Sequence, residues 1–202
     1  MTKSIFCFDL DGTLTQRELL PLIANEVGLE HEFDVLTKLT VDGVISFEES
    51  LRLRFAILKH IPVNVVQDII CHADLFNKVI DFITQHRERC FIVTGNLDVW
   101  IKPLMHKIGC EYFSSRVHEQ NGSLSSLDYI LNKSSAINEL RKRYAECKIV
   151  AFGDGLNDYP MFAAADQAVA IGLTHQPSPA LIAKSHFIIY EEDALCHLLN
   201  TL

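Results

Sequence analysis

The sequence contains no apolar run approaching the length that a bilayer-crossing helix needs. It contains no CxxC pair, and none of its 6 cysteines (Cys7, Cys71, Cys90, Cys110, Cys147, Cys196) stands near a histidine at metal-ligand spacing. A disulfide frame and a zinc ribbon are therefore not expected, and the cysteines read as free thiols of a reducing, cytoplasmic compartment. The opening stretch MTKSIFCFD reaches a charged residue too early for a secretory leader. No internal repeat and no low-complexity tract interrupts the 202 residues. Positive charge is in the minority, since 18 Lys and Arg face 26 Asp and Glu for a net charge of −8. That balance speaks against nucleic acid or an anionic membrane as the partner. It does not exclude a small anion, because one pocket can be locally positive.

What is present is the composition of a globular chain with one sizeable core, with 49% hydrophobic and 22% charged residues. Four short apolar runs read as buried parallel strands: SIFCF (4–8), CFIVT (90–94), KIVAF (148–152) and AVAI (168–171). FIIY (187–190) is a fifth candidate, followed by a closing helix near 192–200. Helical periodicity marks 75–86, 97–108 and 134–145 between the strands. Alternating strands and helices predict an α/β fold, a Rossmann-like parallel sheet sandwiched by helices. Asn121-Gly122 within 117–125 is the signal for a type I′ hairpin turn.

Residues 15–73 break the alternation. ELLPLIANEVG, FDVLTKLTV, SFEESLRLRFAIL and NVVQDII all carry helical period, with no strand candidate among them. The expected organisation is a core formed by 1–14 and 74–202, with a helical bundle of 15–73 inserted after the first strand. Ser46 and Glu49 have the spacing of a capping box.

In open parallel sheets, ligands bind beyond the carboxyl ends of the strands. Here those ends carry Asp9 and Asp11, then Thr94-Gly95-Asn96, then GDGLND with Asp154, Asn157 and Asp158, while Lys133 opens the helix before the third strand. Singly, each has a plain structural reading: a turn cap, a strand-end hydroxyl, a solvated lysine. Together, four acids at one edge repel unless a cation neutralises them. Hard carboxylate oxygens without nearby His or Cys ligands point to Mg²⁺, which typically also takes a phosphate oxygen. One aspartate is then free to attack phosphorus, a second acid to move the proton, and the lysine and hydroxyl to hold the phosphoryl oxygens. A dinucleotide-binding reading fails, because GDGLND lacks the third glycine and follows the third strand.

DLDGT, the strand-end Thr94, Lys133 and GDGLND resemble, in order, the four motifs of the haloacid dehalogenase superfamily. The resemblance implies Asp9 as nucleophile and Asp11 as general acid/base, with Thr94, Gly95 and Lys133 binding phosphate. It implies Asp9, Asp11 (through its carbonyl), Asp154 and Asp158 around the metal, and phosphatase rather than dehalogenase activity, since Asp11 is present. The insertion is similar to the cap of the phosphoserine phosphatases of that superfamily, with Glu18 nine residues after Asp9 and FEESLRLR carrying Phe47 and Arg54. In those enzymes the Glu meets a substrate ammonium, the Arg its carboxylate, and the Phe covers the pocket mouth. The implied substrate is a small phosphorylated amino acid, phosphoserine first, bound by Glu18, Phe47, Arg54, Asn96 and Asn157. Another small phosphometabolite, transfer to an alcohol such as homoserine, or non-catalytic phosphate binding are the alternatives. The expected protein is a monomer or homodimer with no membrane or nucleic-acid partner. Three features depart from the phosphoserine enzymes: Asn96-Leu97 in place of Gly-Phe, Val41 in place of a methionine, and a shorter segment before Lys133.

Overall fold

All five residues of strand β1 (Ser4–Phe8) are buried, and Ile5 to Phe8 alternate between two separate hydrophobic clusters. Phe6 and Phe8 face one side with Ile92, Val150, Phe152 and Val169, while Ile5 and Cys7 face the other with Phe91, Val93, Ile149 and Ala151. A strand with helices on both faces needs apolar side chains in both directions, which is why its sequence does not alternate with polar residues.

The computed structural model describes residues 3–41 and 44–202. Four helices follow β1: α1 (Leu19–Glu26), α2 (Glu30–Val41), α3 (Phe47–Leu58) and α4 (Val63–Cys71). The chain continues through α5 (Asn77–Gln85), β2 (Cys90–Leu97), α6 (Asp98–Ile108), β3 (Glu111–Gln120), β4 (Ser123–Tyr129) and α7 (Lys133–Arg143). It ends with β5 (Lys148–Gly153), α8 (Tyr159–Ala164), β6 (Gln167–Ile171), α9 (Pro179–Lys184), β7 (Phe187–Ile189) and α10 (Glu192–Thr201). The strands form one sheet in the order β4-β3-β2-β1-β5-β6-β7, parallel except for the β3–β4 pair. Among the described residues no helix is long and apolar enough to cross a membrane. All six cysteines are unpaired.

The four helices α1–α4 leave and rejoin the sheet through two chain segments that pair with each other. Gln16 N–H donates to Asp74 O at 2.8 Å and Phe76 N–H to Leu14 O at 3.0 Å, around a Thr15–Leu75 bridge. Ser46 and Glu49 form the expected reciprocal cap at the start of α3. Leu19, Ile23, Phe33, Leu58 and Val66 join the cluster that contains Phe6 and Phe8, so the inserted helices share a core with one face of the sheet. The side chain of Val41, expected to line this insertion, lies outside the described residues.

The structure extends the sequence reading in two places. β3 begins at Glu111 and pairs parallel with β2 before its second half enters the hairpin, so the expected hairpin has a longer first strand. Glu111 is exposed and Tyr112, Phe113 and Ser114 only half-buried, so no apolar run marks this strand. The turn itself is as expected, with φ of 53° at Asn121 and 78° at Gly122. β2 runs on to Leu97, and its ladder to β3 is irregular between Val93 and Leu97. There Ser115 Oγ donates to Gly95 O at 2.9 Å.

Helix α6 carries Pro103, whose missing N–H orphans the carbonyl of Val99. Gln67 of α4 supplies the replacement, with Nε2 donating to Val99 O at 2.7 Å. The proline thus helps join the inserted helices to the core.

Candidate active site

Asp9 leaves the sheet in a set direction, because its N–H still bonds to Phe152 O at 2.9 Å. The chain then turns at Gly12, whose φ is 66° and whose missing Cβ would lie 2.6 Å from Asp154 Oδ2 and 2.9 Å from Glu18 Oε1. Only glycine meets both conditions. Thr13 Oγ1 donates to Asp154 Oδ1 at 3.0 Å, fastening this turn to the loop after β5. Asp11 Oδ1 accepts from Leu19 N–H at 2.8 Å, at the start of α1, and Asp11 Oδ2 accepts from Asn96 Nδ2.

The irregular end of β2 presents Thr94 and Asn96, both buried. Thr94 Oγ1 accepts from Asn96 N and Nδ2, each at 3.1 Å, while Asn96 Oδ1 is buried without a partner. Gly95 lies beneath the half-buried Phe47 ring, whose Cζ would sit 2.5 Å from a Cβ at that position. Lys133, at the first turn of α7 and 2% exposed, donates to Asp9 Oδ1 and Asp158 Oδ1, each at 2.5 Å. Asp158 Oδ2 accepts from the N–H groups of Asp154 and Gly155, both at 3.0 Å. Both Asp158 oxygens are therefore engaged in holding the loop and the lysine.

Residues from β1, β2, α7 and the loop after β5 thus converge at one sheet edge, and Asp9, Asp154 and Asp158 can each offer an oxygen within 4.8 Å of the others. One lysine does not balance these acids. Burial, then the Asp158 carboxylate, pushes Asp9 well above the ordinary carboxylate range, against the pull of Lys133. Burial and Glu18 raise Asp11 to about 7, opposed by the Leu19 and Asn96 hydrogen bonds. Asp154 rises to about 6 through burial, with His175 opposing and Asp158 adding to the rise. Burial alone would lower Lys133, but Asp158 and Asp9 overcome it, so the lysine keeps its proton and the surplus negative charge falls on the acids. A cation held by oxygen donors relieves that surplus, so the donor chemistry fits a divalent metal.

Of the residues expected at the substrate end, Glu18 is half-buried beside Gly12 and Asp154. Arg54 is buried within the helical insertion, where it donates to Ser50 Oγ and, at 2.9 Å, to Thr37 Oγ1, and stacks 5.5 Å from the Phe33 ring centroid. Its Nε is buried without a partner. Asn157 is half-buried, its Oδ1 2.4 Å from where a Cβ on Gly155 would sit. The sequence reading missed His175. Its Nε2 lies 2.8 Å from Asp154 Oδ2 and 3.2 Å from Glu18 Oε1, and these bonds raise it to about 11. Its one legible pointer was its place on the segment beyond the carboxyl end of β6.

A family model for haloacid dehalogenase-like hydrolases matches residues 6–163. The chain belongs to this family. A phosphoserine phosphatase of Methanocaldococcus jannaschii is 30% identical over 179 residues, covering 83% of this chain and 85% of the relative. Two solved phosphoserine phosphatases share its α/β fold, each at 28% identity. One, a substrate-bound complex, has a TM-score of 0.83 over 100% of this chain and 99% of its own. The other, a phospho-aspartyl intermediate analogue, has a TM-score of 0.82 over the whole of both chains.

Proposed function

We propose that this haloacid dehalogenase-like hydrolase cleaves a phosphate monoester through a phosphorylated Asp9, with phosphoserine as the first candidate substrate. The carrying observation is the convergence of Asp9, Asp11, Asp154 and Lys133 from separate segments at one buried sheet edge. Asp9 attacks phosphorus while the Asp11 carboxyl, raised to about 7, protonates the departing alcohol oxygen. Asp11, now ionised, takes a proton from the water that releases phosphate. Thr94 Oγ1 already accepts twice from Asn96, which leaves its own proton for a phosphoryl oxygen, and Lys133 supplies a positive charge beside Asp9. Asp9, Asp154 and the Asp11 carbonyl would hold the divalent cation, Mg²⁺ on the carboxylate donors alone, with Asp158 holding the loop around them. When bound, that ion neutralises charge on the phosphoryl oxygens.

Residues 15–73 act as a cap over a core formed by 1–14 and 74–202. Glu18 receives the substrate ammonium, Phe47 closes over Gly95, and Arg54 reaches a substrate carboxylate once it turns from Ser50 and Thr37. In this reading Asn157 is a further substrate contact. The unpartnered Asn96 Oδ1 favours a second reading, a small phosphometabolite whose alcohol carries an extra donor, or transfer to such an alcohol. A panel of phosphoserine, phosphothreonine, phosphohomoserine and sugar phosphates, assayed with Mg²⁺, separates these readings. Asp9→Asn should lower turnover by about 10³-fold or more, and equal turnover by the variant would defeat the mechanism. Excess chelator should abolish activity, and Mg²⁺ should restore it.

A further inference from the structure

Thr94 and Asn96 alternate with Gly95 along β2, and their side chains meet on one face of the strand. Asn96 Nδ2 donates one hydrogen to Asp11 Oδ2 and the other, at 3.1 Å, to Thr94 Oγ1. The Asn96 backbone N–H reaches the same hydroxyl at 3.1 Å. This orientation of the amide is fixed, because reversal would set its carbonyl oxygen against an ionised Asp11 carboxylate. The backbone beneath is fixed as well. Gly95 O accepts from Ser115 Oγ at 2.9 Å, and Ser115 Oγ accepts in turn from Leu131 N–H at 3.1 Å. Ser115 is buried, so β3 and the segment before α7 together hold this end of β2.

The Asp11 carboxyl is gripped at both oxygens, from two parts of the molecule. Leu19 N–H, in the helical insertion, holds Oδ1 at 2.8 Å, and Asn96, in the sheet, holds Oδ2. A carboxyl bonded at one oxygen still rotates about its Cβ–Cγ bond, whereas one bonded at both has a set plane. Proton transfer to a departing oxygen depends on that plane, since it works only within aligned hydrogen-bond reach. Asn96 is 5% exposed, which shields the contact from competing water.

We propose that Asn96 is a positioning residue for the general acid: its amide locks the Asp11 carboxyl to the sheet, in one fixed geometry with the Thr94 hydroxyl. The inference rests on the reading above that Asp11 protonates the departing alcohol. The effect of Asn96 on the reaction passes through Asp11.

The test uses the full chain with Mg²⁺ and aryl phosphates of similar size but graded leaving-group acidity, from p-nitrophenyl to p-methoxyphenyl phosphate. A well-placed acid makes kcat/KM nearly independent of that acidity, because the departing oxygen leaves protonated. Asn96→Ala and the near-isosteric Asn96→Leu, which fills the space without a donor, should both restore the dependence. Each should lose about tenfold or more in kcat/KM for the poorest leaving group relative to p-nitrophenyl phosphate. The p-nitrophenyl ester, which needs the acid least, reports that each variant has an assembled site. A packing defect alone would lower all the esters alike and would spare Asn96→Leu. In an Asp11→Asn background, where the dependence is already steep, Asn96→Ala should steepen it no further. A dependence unchanged in both Asn96 variants, or steepened equally with Asp11 already replaced, overturns the proposal. Hydrolysis by the parent protein with the Asn96 variants behaving alike sinks the positioning role alone. A parent protein that cleaves none of these esters, nor phosphoserine, sinks the phosphatase reading and this inference with it.

Discussion

Lys133 is the one buried cation among Asp9, Asp154 and Asp158, and its two 2.5 Å contacts hold the carboxylates of Asp9 and Asp158 in place. Breaking a buried pair from one side strands the other charge, which costs far more than a surface ion pair contributes. Lys133→Ala should therefore lose about 3 kcal/mol of stability at pH 8. The loss should shrink at pH 5, where Asp9, already raised by burial, can take a proton instead. Urea midpoints at the two pH values check this, and an equal loss at both would contradict the charge argument. At this scale much was legible. The acids, Thr94 and Lys133 sit at strand and helix ends, where backbone geometry dictates where side chains project. Arg54 was legible as a residue type but not as a position. Only packing reveals that its guanidinium is held by Ser50, Thr37 and the Phe33 ring.

At the scale of elements, the hairpin reaches the inserted helices at the end opposite their chain crossing. Val63 N–H donates to Gly122 O at 2.8 Å and Leu124 N–H to Lys59 O at 3.2 Å, so the turn between β3 and β4 grips the connection between α3 and α4. If 15–73 opens for substrate about the paired segments near Thr15 and Leu75, these two bonds must break in each cycle. Hydrogen exchange at Val63 and Leu124 should slow when phosphate and a divalent cation are added, while Gln16 and Phe76 change little. Unaltered exchange at the hairpin would argue against opening at this end. The hairpin was foreseen from Asn121-Gly122. Its grip on the helices was not, because nothing in a polar turn sequence tells what lies across from its carbonyl.

For the whole molecule, the crowded acids couple stability to pH and to metal. Asp11 and Asp154 lie at about 7 and about 6 in the folded chain, above their ordinary value of 3.8. Between 3.8 and about 7 the folded state therefore binds more protons than the unfolded one. Unfolding free energy then falls as pH rises through that window, the reverse of the usual behaviour of ion-paired carboxylates. The metal-free protein should be less stable at pH 8 than at pH 5. A divalent cation at about 100 times its dissociation constant should return about 2.7 kcal/mol at pH 8. Denaturant midpoints with chelator and with metal measure both effects, and a metal-free protein more stable at pH 8 would contradict them.

By itself the sequence determined the parallel sheet, the helical insertion and the acids at the strand ends, because strand burial, helical period and turn chemistry are local in the chain. Tertiary structure decided how the segments interlock. Thr13 bonds to Asp154, Gln67 to the carbonyl that Pro103 orphans, and His175 comes to rest between Glu18 and Asp154. These contacts join segments distant in the chain, where no periodicity relates the partners. Their distances follow only from the order of the strands and the tilt of the helices packed on them.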